Sequence, residues 1–357
     1  MAGAIDWGLA ERVAIRAAGK DPFSDSYHYQ SLIPDFDELT AQAEQKVEAA
    51  TGLKSLAGPA RARLTDRPGW IMANIASFQR LLSPFTDRLE EKMEHSPMAP
   101  VARRIAGAEL GMLLGWMSGR VLGQYDLLVI EDEHPEDQDI VYYVGPNVLS
   151  LEKRFAFPPR EFRLWLALHE TTHRAQFTGI PWMREHFLGL VQATVNAVDP
   201  DPKRLLEALG HALETGRKGK NPLDEGGLVA LLAGPEQRRV LDQVGGLMSL
   251  LEGHGDVTMD RAGADQIPSA ARFGQVLRQR RQQGHPLAKF VQKLIGLDAK
   301  MKQYEQGERF IEAVEAVGGP ELLDRAWEDP SKLPSLAEIR EPGVWLARIR
   351  APQEVAS

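Results

Sequence analysis

The stretch Leu164–Phe177, LWLALHETTHRAQF, combines a helical pattern with the motif HExxH and therefore decides how the chain is interpreted. The motif places His169 and His173 four residues apart. In an α-helix, such residues lie on one face, roughly 6 Å apart. Pro158-Pro159 directly upstream favours the start of a helix, because proline is tolerated in the first turn. The sequence therefore predicts a helix that presents two imidazoles side by side.

Two imidazoles at this spacing can bind one Zn²⁺ ion, at about 2.0–2.1 Å each. Glu170 lies one position further round the helix, where it can accept a proton from a water on the metal and pass it to a leaving group. The pattern is typical of zinc-dependent hydrolysis, with Glu170 as catalytic base and a peptide or another amide as substrate. Two ordinary helix histidines are the alternative, which is disfavoured because burying them without a metal is costly.

A catalytic zinc normally has three protein ligands, and no histidine follows His173 at the spacing of the extended motif HExxHxxGxxH. The apolar pattern of Val240–Leu251 predicts a second helix that leads to Glu252, with Asp256 one turn later on the same face. This spacing suits Glu252 as third ligand and Asp256 as hydrogen-bond partner of a ligand imidazole. A solvated acidic helix end is the alternative for this pair of carboxylates.

His254 is a rival third ligand. On a regular helix it points about 200° away from Glu252, so only one of the two side chains can face the zinc easily. If Glu252 is the ligand, His254 can line the cleft instead. Glycines on the same predicted helix each cost about 1 kcal/mol relative to alanine. We expect them to allow close approach of another backbone, with the HExxH helix as the candidate; they are Gly245, Gly246, Gly253 and Gly255.

Helical periodicity dominates the rest of the chain. The predicted helices are Ile5–Ala18, Phe36–Thr51, Trp70–Leu82, Pro100–Leu122, Trp182–Val195, Pro202–Glu214, Glu236–Asp260, Pro268–Gln283, Leu287–Lys302 and Gly307–Val317. Pro84 is expected to open a further helix. In Pro100–Leu122, large apolar residues recur at helical spacing from Val101 to Trp116, which predicts a largely buried helix. The proline-containing tail from Pro330 is expected to lie over the surface.

One region, Leu127–Leu151, has strand character. Its apolar segments at Leu127–Ile130, Ile140–Val144 and Val148–Leu151 predict a small antiparallel sheet beside the HExxH helix, and the fold class is mainly α (α+β). Ile140–Val144 could pair with a peptide substrate as an edge strand. Tyr142 and Tyr143 alternate faces, so at most one of them points to the cleft; cross-strand packing is the alternative.

Composition limits the possible classes of protein. The chain has 357 residues, a formal net charge of −8 and no cysteine. The negative charge argues against nucleic acid as the main partner, and the lack of cysteine excludes disulfides and thiolate metal sites.

Without a signal peptide or an apolar run long enough to span a membrane, we expect a cytoplasmic protein with no membrane partner. It is expected to form one domain over 1–357, with parts 1–125, 126–265 and 266–357; the sequence does not indicate its oligomeric state.

Four stretches together resemble the zincin-like metallopeptidase type 2 family of actinobacteria and Chloroflexi. They are IDWGLAERVA at the start, YYVGPNVL, HETTHRAQF and LLEGHGDVTMD, so that the resemblance covers about Ile5 to Val344. It implies a mostly helical zincin-like hydrolase, with His169 and His173 as zinc ligands and Glu170 as general base. The Glu252–Asp256 pair is similar to the third-ligand helix of gluzincins, although 78 residues separate it from His173. Members of the family are often labelled as associated with deazaflavin coenzyme biosynthesis; the sequence has no visible deazaflavin-binding feature.

Two other kinds of protein remain as alternatives. A non-catalytic zinc-binding interaction or regulatory protein would have a closed metal site with a fourth protein ligand such as His254. A di-iron protein needs two Glu-x-x-His elements and further carboxylates, and only Glu170–His173 fits this pattern.

Overall fold

The computed structural model describes residues 3–23, 26–93, 96–127, 139–197, 235–282 and 297–350. They form a mainly α-helical protein with a small sheet, which confirms the predicted fold class. The chain divides into two compact units, Met1–Gly179 with Thr258–Gln275 and Ile180–Val257 with Val276–Ser357. The expectation of a single domain stays a prediction.

The elements up to residue 179 are α1 (Trp7–Ala18), α2 (Tyr27–Gln30), α3 (Leu32–Thr51), β1 (Arg61–Thr65), α4 (Arg67–Met93), α5 (Ala99–Ser118), β2 (Gly123–Tyr125), β3 (Ile140–Val144), α6 (Gly145–Phe155) and α7 (Pro159–Gly179). They are followed by α8 (Met183–Ala197), α9 (Pro235–Gly263), α10 (Ala270–Gln282), α11 (Leu297–Gly318), α12 (Pro320–Leu323), α13 (Leu336–Arg340) and α14 (Pro342–Arg350). Two 3₁₀ turns lie at Asp324–Trp327 and Pro330–Lys332. Among all the residues that the structure describes, every helix is too short or too polar to cross a bilayer.

The sheet is mixed rather than antiparallel. Its strand order is β1-β3-β2, with β1 parallel and β2 antiparallel to β3. The predicted strand Ile140–Val144 is confirmed as β3, but it lies in the centre, so the prediction that it is a free edge was wrong. The edge strand β2 lies against α7 instead. From the predicted strand Leu127–Ile130, only Leu127 belongs to the described residues, and it lies outside β2.

The prediction of a strand at Val148–Leu151 was wrong, because these residues belong to α6. Pro146 lies in the first turn of this helix, where its missing N–H is not needed. Asn147 anchors the same turn, since its Nδ2 donates to the carbonyls of Ser118 at 2.7 Å and Val121 at 2.6 Å. A short apolar run fits a buried helix as well as a strand, and here tertiary contacts select the helix.

Most predicted helices are confirmed within a few residues, but two predicted breaks are absent. Helix α4 is continuous through Pro84. Proline leaves the carbonyl four residues earlier without its helical donor, and the Ser83 hydroxyl donates to that carbonyl of Arg80 at 3.0 Å. Helix α11 likewise runs through Gly307. Pro202–Glu214 and most of Leu287–Lys302 lie outside the described residues.

Within the first unit, α1 and α5 pack closely through glycine. The glycines at positions 107, 111 and 115 each face a backbone carbonyl of α1 or its N-cap, so that a Cβ at Gly111 would lie 2.4 Å from the Ala10 oxygen. The large residues of the predicted stripe lie on another face, and Ile105 remains 53% exposed. The prediction of a largely buried α5 was therefore wrong: close helix packing requires small residues at the contact and leaves large ones outside.

An aromatic core fixes α3, α7 and the sheet in the same unit. Phe36 of α3 stacks on Tyr143 of β3, with ring centroids 3.9 Å apart. The Tyr143 hydroxyl is also 2.8 Å from Thr40 Oγ1. On α7, Phe162 and Trp165 both contact Phe273 edge to face, at 5.3 and 6.0 Å. These contacts bury α7 at the centre of the unit.

In the second unit, α9 and α11 cross at two glycines. A Cβ at Gly307 would lie 1.9 Å from the Ser249 carbonyl oxygen, and one at Gly253 would lie 2.4 Å from the Gly307 carbonyl carbon. Gly246 faces the backbone of Pro334 and Ser335 in the same way. The glycines of α9 thus allow close approach, as predicted, but the observed neighbours of Gly246 and Gly253 are C-terminal segments and not the HExxH helix.

The tail from Pro330 to residue 350 packs rather than lying loosely over the surface. Trp345 is fully buried; its ring contacts Phe310 edge to face and its Nε1 donates to the Lys332 carbonyl at 2.8 Å. Arg348 binds Glu338 through two nitrogens. Burial raises the pKa of Glu338, but its hydrogen bonds with Arg348 and Ser335 outweigh this effect, so the net pKa is lowered.

The α1–α5 contact predicts opposite effects for two glycine-to-alanine changes. Gly111→Ala should lower the free energy of unfolding by about 1–3 kcal/mol, because the new methyl group overlaps the α1 backbone. Gly189→Ala is the matched control in α8, where a Cβ meets nothing within 4 Å, and it should raise stability by up to about 1 kcal/mol. Urea unfolding of both variants measures the difference, and equal shifts would contradict the packing described.

Candidate metal centre

The helix that carries the HExxH motif, α7, is buried on most of its circumference. Its hydroxyl side chains turn back to the helix: Thr171 donates to Ala167 O at 2.6 Å and Thr172 to Leu168 O at 2.7 Å. They therefore need no partner outside the helix. His169 and His173 are only half-buried, unlike the residues around them. The motif thus exposes its imidazoles while its other side chains are fixed in the core.

Arg163 fixes the first half of α7. It is almost fully buried and binds both carboxylate oxygens of Glu152, with N–O distances of 2.7 and 2.8 Å, and also binds Asp35. Burial alone would lower the pKa of Arg163, but the contacts with Glu152 and Asp35 raise it. A buried guanidinium requires such partners, because an unpaired charge in the core is strongly destabilising.

Arg174 fixes the second half of α7, immediately after His173. Its side chain is 1% exposed and binds Asp139, the residue before β3, with Nη2 2.6 Å from Oδ2. It also binds Glu44 of α3 and donates to the carbonyl of Gly58 at 2.7 Å. A planar guanidinium with several fixed acceptors has little freedom to rotate. Arg174 therefore ties the C-terminal half of the motif helix to α3 and the sheet.

The two motif histidines point their Nε2 atoms at each other. These atoms are 3.3 Å apart, and the rings are nearly perpendicular, with centroids 4.6 Å apart. Two bonds of about 2.0–2.1 Å meeting at the tetrahedral angle on one Zn²⁺ span about 3.3 Å between their nitrogens. The spacing of His169 and His173 therefore fits two ligands of one tetrahedral zinc ion.

Gln176 orients the second histidine. Its Oε1 is 3.0 Å from His173 Nδ1, and the Gln176 side chain is fully buried. An amide oxygen only accepts hydrogen bonds, so the contact places the ring proton on Nδ1 and leaves the Nε2 lone pair for a metal. Hydrogen bonds of this kind fix the tautomer and the orientation of metal-binding histidines.

Glu170 is held by the edge strand β2. The carboxylate is buried, and its Oε2 accepts a hydrogen bond from the backbone N–H of Tyr125 at 3.2 Å. Gly123 is required at this contact, because a Cβ there would lie 2.7 Å from both Cγ and Oε1 of Glu170. Glycine in a strand often marks such a close approach. The sheet thus fixes the carboxylate that the sequence predicts as catalytic base.

The third ligand predicted from the sequence, Glu252, lies on α9 and is buried. On the same helix the ring of its rival, His254, contacts Trp327 edge to face, with centroids 5.2 Å apart. Glu252 as third ligand stays a prediction. Asp256 lies one turn after Glu252 in α9, half-buried, and its role beside an imidazole stays a prediction.

The two candidate cleft tyrosines differ in environment. Tyr143 is fully buried in the aromatic core, and burial raises the pKa of its phenol far above the ordinary value; the hydrogen bond with Thr40 lowers it and the charge of Glu170 raises it further. Tyr143 therefore packs, as the alternative interpretation held. Tyr142 is half-buried on the opposite face of β3, with Arg63 5.8 Å from its ring centroid. A place for Tyr142 in the cleft stays a prediction.

Three residues at the centre were missed by the sequence analysis. Gln176 follows His173 by three positions, so helical spacing alone places it beside that ring and could have revealed it. Gly123 and Tyr125 hold Glu170 from a strand 45 or more residues upstream, and the segment Gly123–Tyr125 has weak strand character. No local pattern in the sequence connects this segment to the motif.

Comparisons with known proteins identify the family and a similar solved structure. The sequence model of a family described as zincin-like metallopeptidase matches residues 5–346. A crystal structure from Chloroflexus aurantiacus, described as "a putative hydrolase with a novel fold", is similar with a TM-score of 0.72 and 30% sequence identity. The similarity covers 98% of this chain and 99% of that chain. No functionally curated protein matches the chain.

The contact between Gln176 and His173 predicts a change in metal affinity. Gln176→Leu should weaken zinc binding by about 10–100-fold, because the imidazole loses the partner that fixes its tautomer. Gln192→Leu is the control in α8, where the Gln192 Nε2 donates to Asn196 Oδ1 at 3.2 Å, away from the HExxH motif in sequence. Competition with a chelating dye measures both affinities. Equal affinities in the two variants would show that Gln176 does not orient a ligand.

Proposed function

The chain belongs to the zincin-like metallopeptidase family, and from this premise we propose that it is a zinc-dependent hydrolase that cleaves an amide bond, most simply in a peptide. The observation that carries the proposal is the arrangement around Glu170. This carboxylate is fixed by an edge strand beside two imidazoles whose nitrogens have the spacing of tetrahedral zinc ligands.

His169, His173 and Glu252 would hold the zinc ion. Two neutral imidazole nitrogens and one carboxylate are a ligand set typical of catalytic zinc. When bound, Zn²⁺ acts as a Lewis acid and lowers the pKa of a coordinated water towards about 7. Three protein ligands leave one position open for water or substrate, whereas structural zinc sites are usually closed by four. The donor set therefore favours an enzyme over the non-catalytic alternative.

Glu170 would move the proton. Its Oε2 accepts a hydrogen bond from the N–H of Tyr125, and the carboxylate held in this way would take a proton from the attacking water. The same carboxylic acid would then donate this proton to the leaving nitrogen. Because Gly123 and Tyr125 fix the carboxylate, it would need little reorganisation when it takes the proton of the water.

Strand β2 offers a place for an extended substrate. The carbonyl of Leu122 and the N–H of Asp126 bond to β3, so by strand alternation the backbone groups of Gly123 and Tyr125 point away from β3. On this side of β2, the Tyr125 N–H donates to Glu170. A peptide that paired with the Gly123 end of β2 by strand addition would therefore lie next to the general base.

Replacing the general base should separate binding from catalysis. Glu170→Gln keeps an acceptor for Tyr125 N–H but cannot take a proton, so hydrolysis should fall about 10²–10⁴-fold while the zinc content is unchanged. Cleavage of a peptide library by the zinc-loaded protein, read by mass spectrometry, measures this. Glu185→Gln on the exposed side of α8 is the control. Full activity in Glu170→Gln would remove Glu170 from the reaction.

Gly123→Ala tests the support that β2 gives to Glu170. The new methyl group must displace the carboxylate, and a displacement of about 1 Å can cost about 100-fold in rate. We expect kcat to fall while the zinc affinity stays that of the wild type. Gly343→Ala is the control in α14, where a Cβ meets nothing within 4 Å. An unchanged kcat would contradict the role of the close contact.

A further inference from the structure

One face of α5 carries an exposed apolar stripe. Met98, at the N-cap of the helix, is 61% exposed, and along the helix Val101 is 47%, Ile105 53% and Met112 59% exposed. Isolated exposed apolar residues are normal, but a continuous row on one helix face often marks an interaction surface. The face of α5 that packs against α1 is formed by glycines instead, so this stripe has no role in the contact between the two helices.

The stripe follows the spacing of a coiled coil. Positions 98, 101, 105, 108 and 112 are separated by three and four residues in alternation, and all five are apolar: Met98, Val101, Ile105, Ala108 and Met112. This is the a-d-a-d-a pattern of a heptad repeat, which keeps one seam facing a partner helix. An ordinary buried face of a globular helix is wider than such a seam.

Two exposed charges flank the seam and define the partner. Arg104 precedes Ile105 on one side, and Glu109 follows Ala108 on the other; both are exposed. In heptad terms they are a g position and the next e position, five residues apart. In a parallel pair of identical helices, g of one chain faces this e position of the other, so that Arg104 meets Glu109 twice. In an antiparallel pair a g position faces g of the other chain and an e position faces e, so Arg104 does not meet Glu109.

We propose that a second copy of this chain docks on the α5 stripe, with the two α5 helices parallel. A parallel pair buries all five apolar positions against their own copies and forms two symmetric Arg104–Glu109 ion pairs. The symmetry is self-complementary, as a two-fold dimer requires. The stripe shares no residue with the proposed metal centre on α7.

The stripe spans only two heptads, and this limits the strength of the dimer. Interfaces at the small end of the range are typically weak or transient. Exposed ion pairs contribute modestly to affinity but select partner and orientation. We therefore expect a reversible dimer that forms as the protein concentration rises.

A charge exchange tests both the partner and the orientation. Arg104→Glu and Glu109→Arg should each raise the dimer dissociation constant about tenfold, because each replaces two attractions by two repulsions. The double variant Arg104→Glu/Glu109→Arg should restore dimerisation. Within one helix these residues point in different directions, so restoration requires two chains. Sedimentation of the full-length, zinc-loaded protein measures the dimer dissociation constants of the wild type, the two single variants and the double variant. A monomeric wild type overturns the proposal, and so does a double variant that dimerises as weakly as the single variants.

The absence of cysteine allows a second, independent test. Val101→Cys introduces the single thiol of the chain at a seam position that faces its own copy in a parallel pair, so mild oxidation should yield a covalent dimer. Val344→Cys, on the similarly exposed α14, is the control and should stay monomeric. Equal cross-linking of the two variants, or none at Val101→Cys, overturns the parallel α5 pair.

Discussion

The proposed metal centre depends on one constraint: two imidazoles on a single helix must keep their Nε2 atoms about 3.3 Å apart and turned to the same point. Flexible side chains on an exposed helix would not hold this geometry. Here α7 is fixed near each end by a buried arginine, Arg163 with Glu152 and Arg174 with Asp139, and Gln176 fixes the orientation of one ring. Because burying unpaired charges is so unfavourable, these ion pairs define the position and rotation of α7.

The parts of the fold that follow from local patterns were predictable. The HExxH helix was predicted because the spacing of its histidines, its apolar stripe and the preceding prolines all indicate one helix. The strand Ile140–Val144 was predicted because it is rich in β-branched and aromatic residues. The helix that leads to Glu252 was predicted from its apolar face, and α9 contains this segment. Each of these signals lies within one segment of sequence.

The remaining features depend on contacts between distant segments. Strands β1 and β2 have little strand character and exist because β3 pairs with them. The burial of α5 was predicted on the wrong face, since residue size suggests that Ile105 lies inside, whereas the contact with α1 requires Gly111. Likewise, the need for Gly123 becomes visible only when Glu170 is placed against β2. Hydrophobic periodicity shows that a helix has a face, but the shape of its neighbour decides which residues form it.

The most direct test of the central claim is the zinc content of the purified and reconstituted protein, measured by mass spectrometry for the wild type, His169→Ala and Glu252→Ala. We expect about one zinc per wild-type chain and loss of zinc from both variants, while the control Glu185→Ala keeps it. A wild type that takes up no zinc would contradict the metal centre itself. Zinc binding that survives in Glu252→Ala but not in His169→Ala would contradict the proposed third ligand.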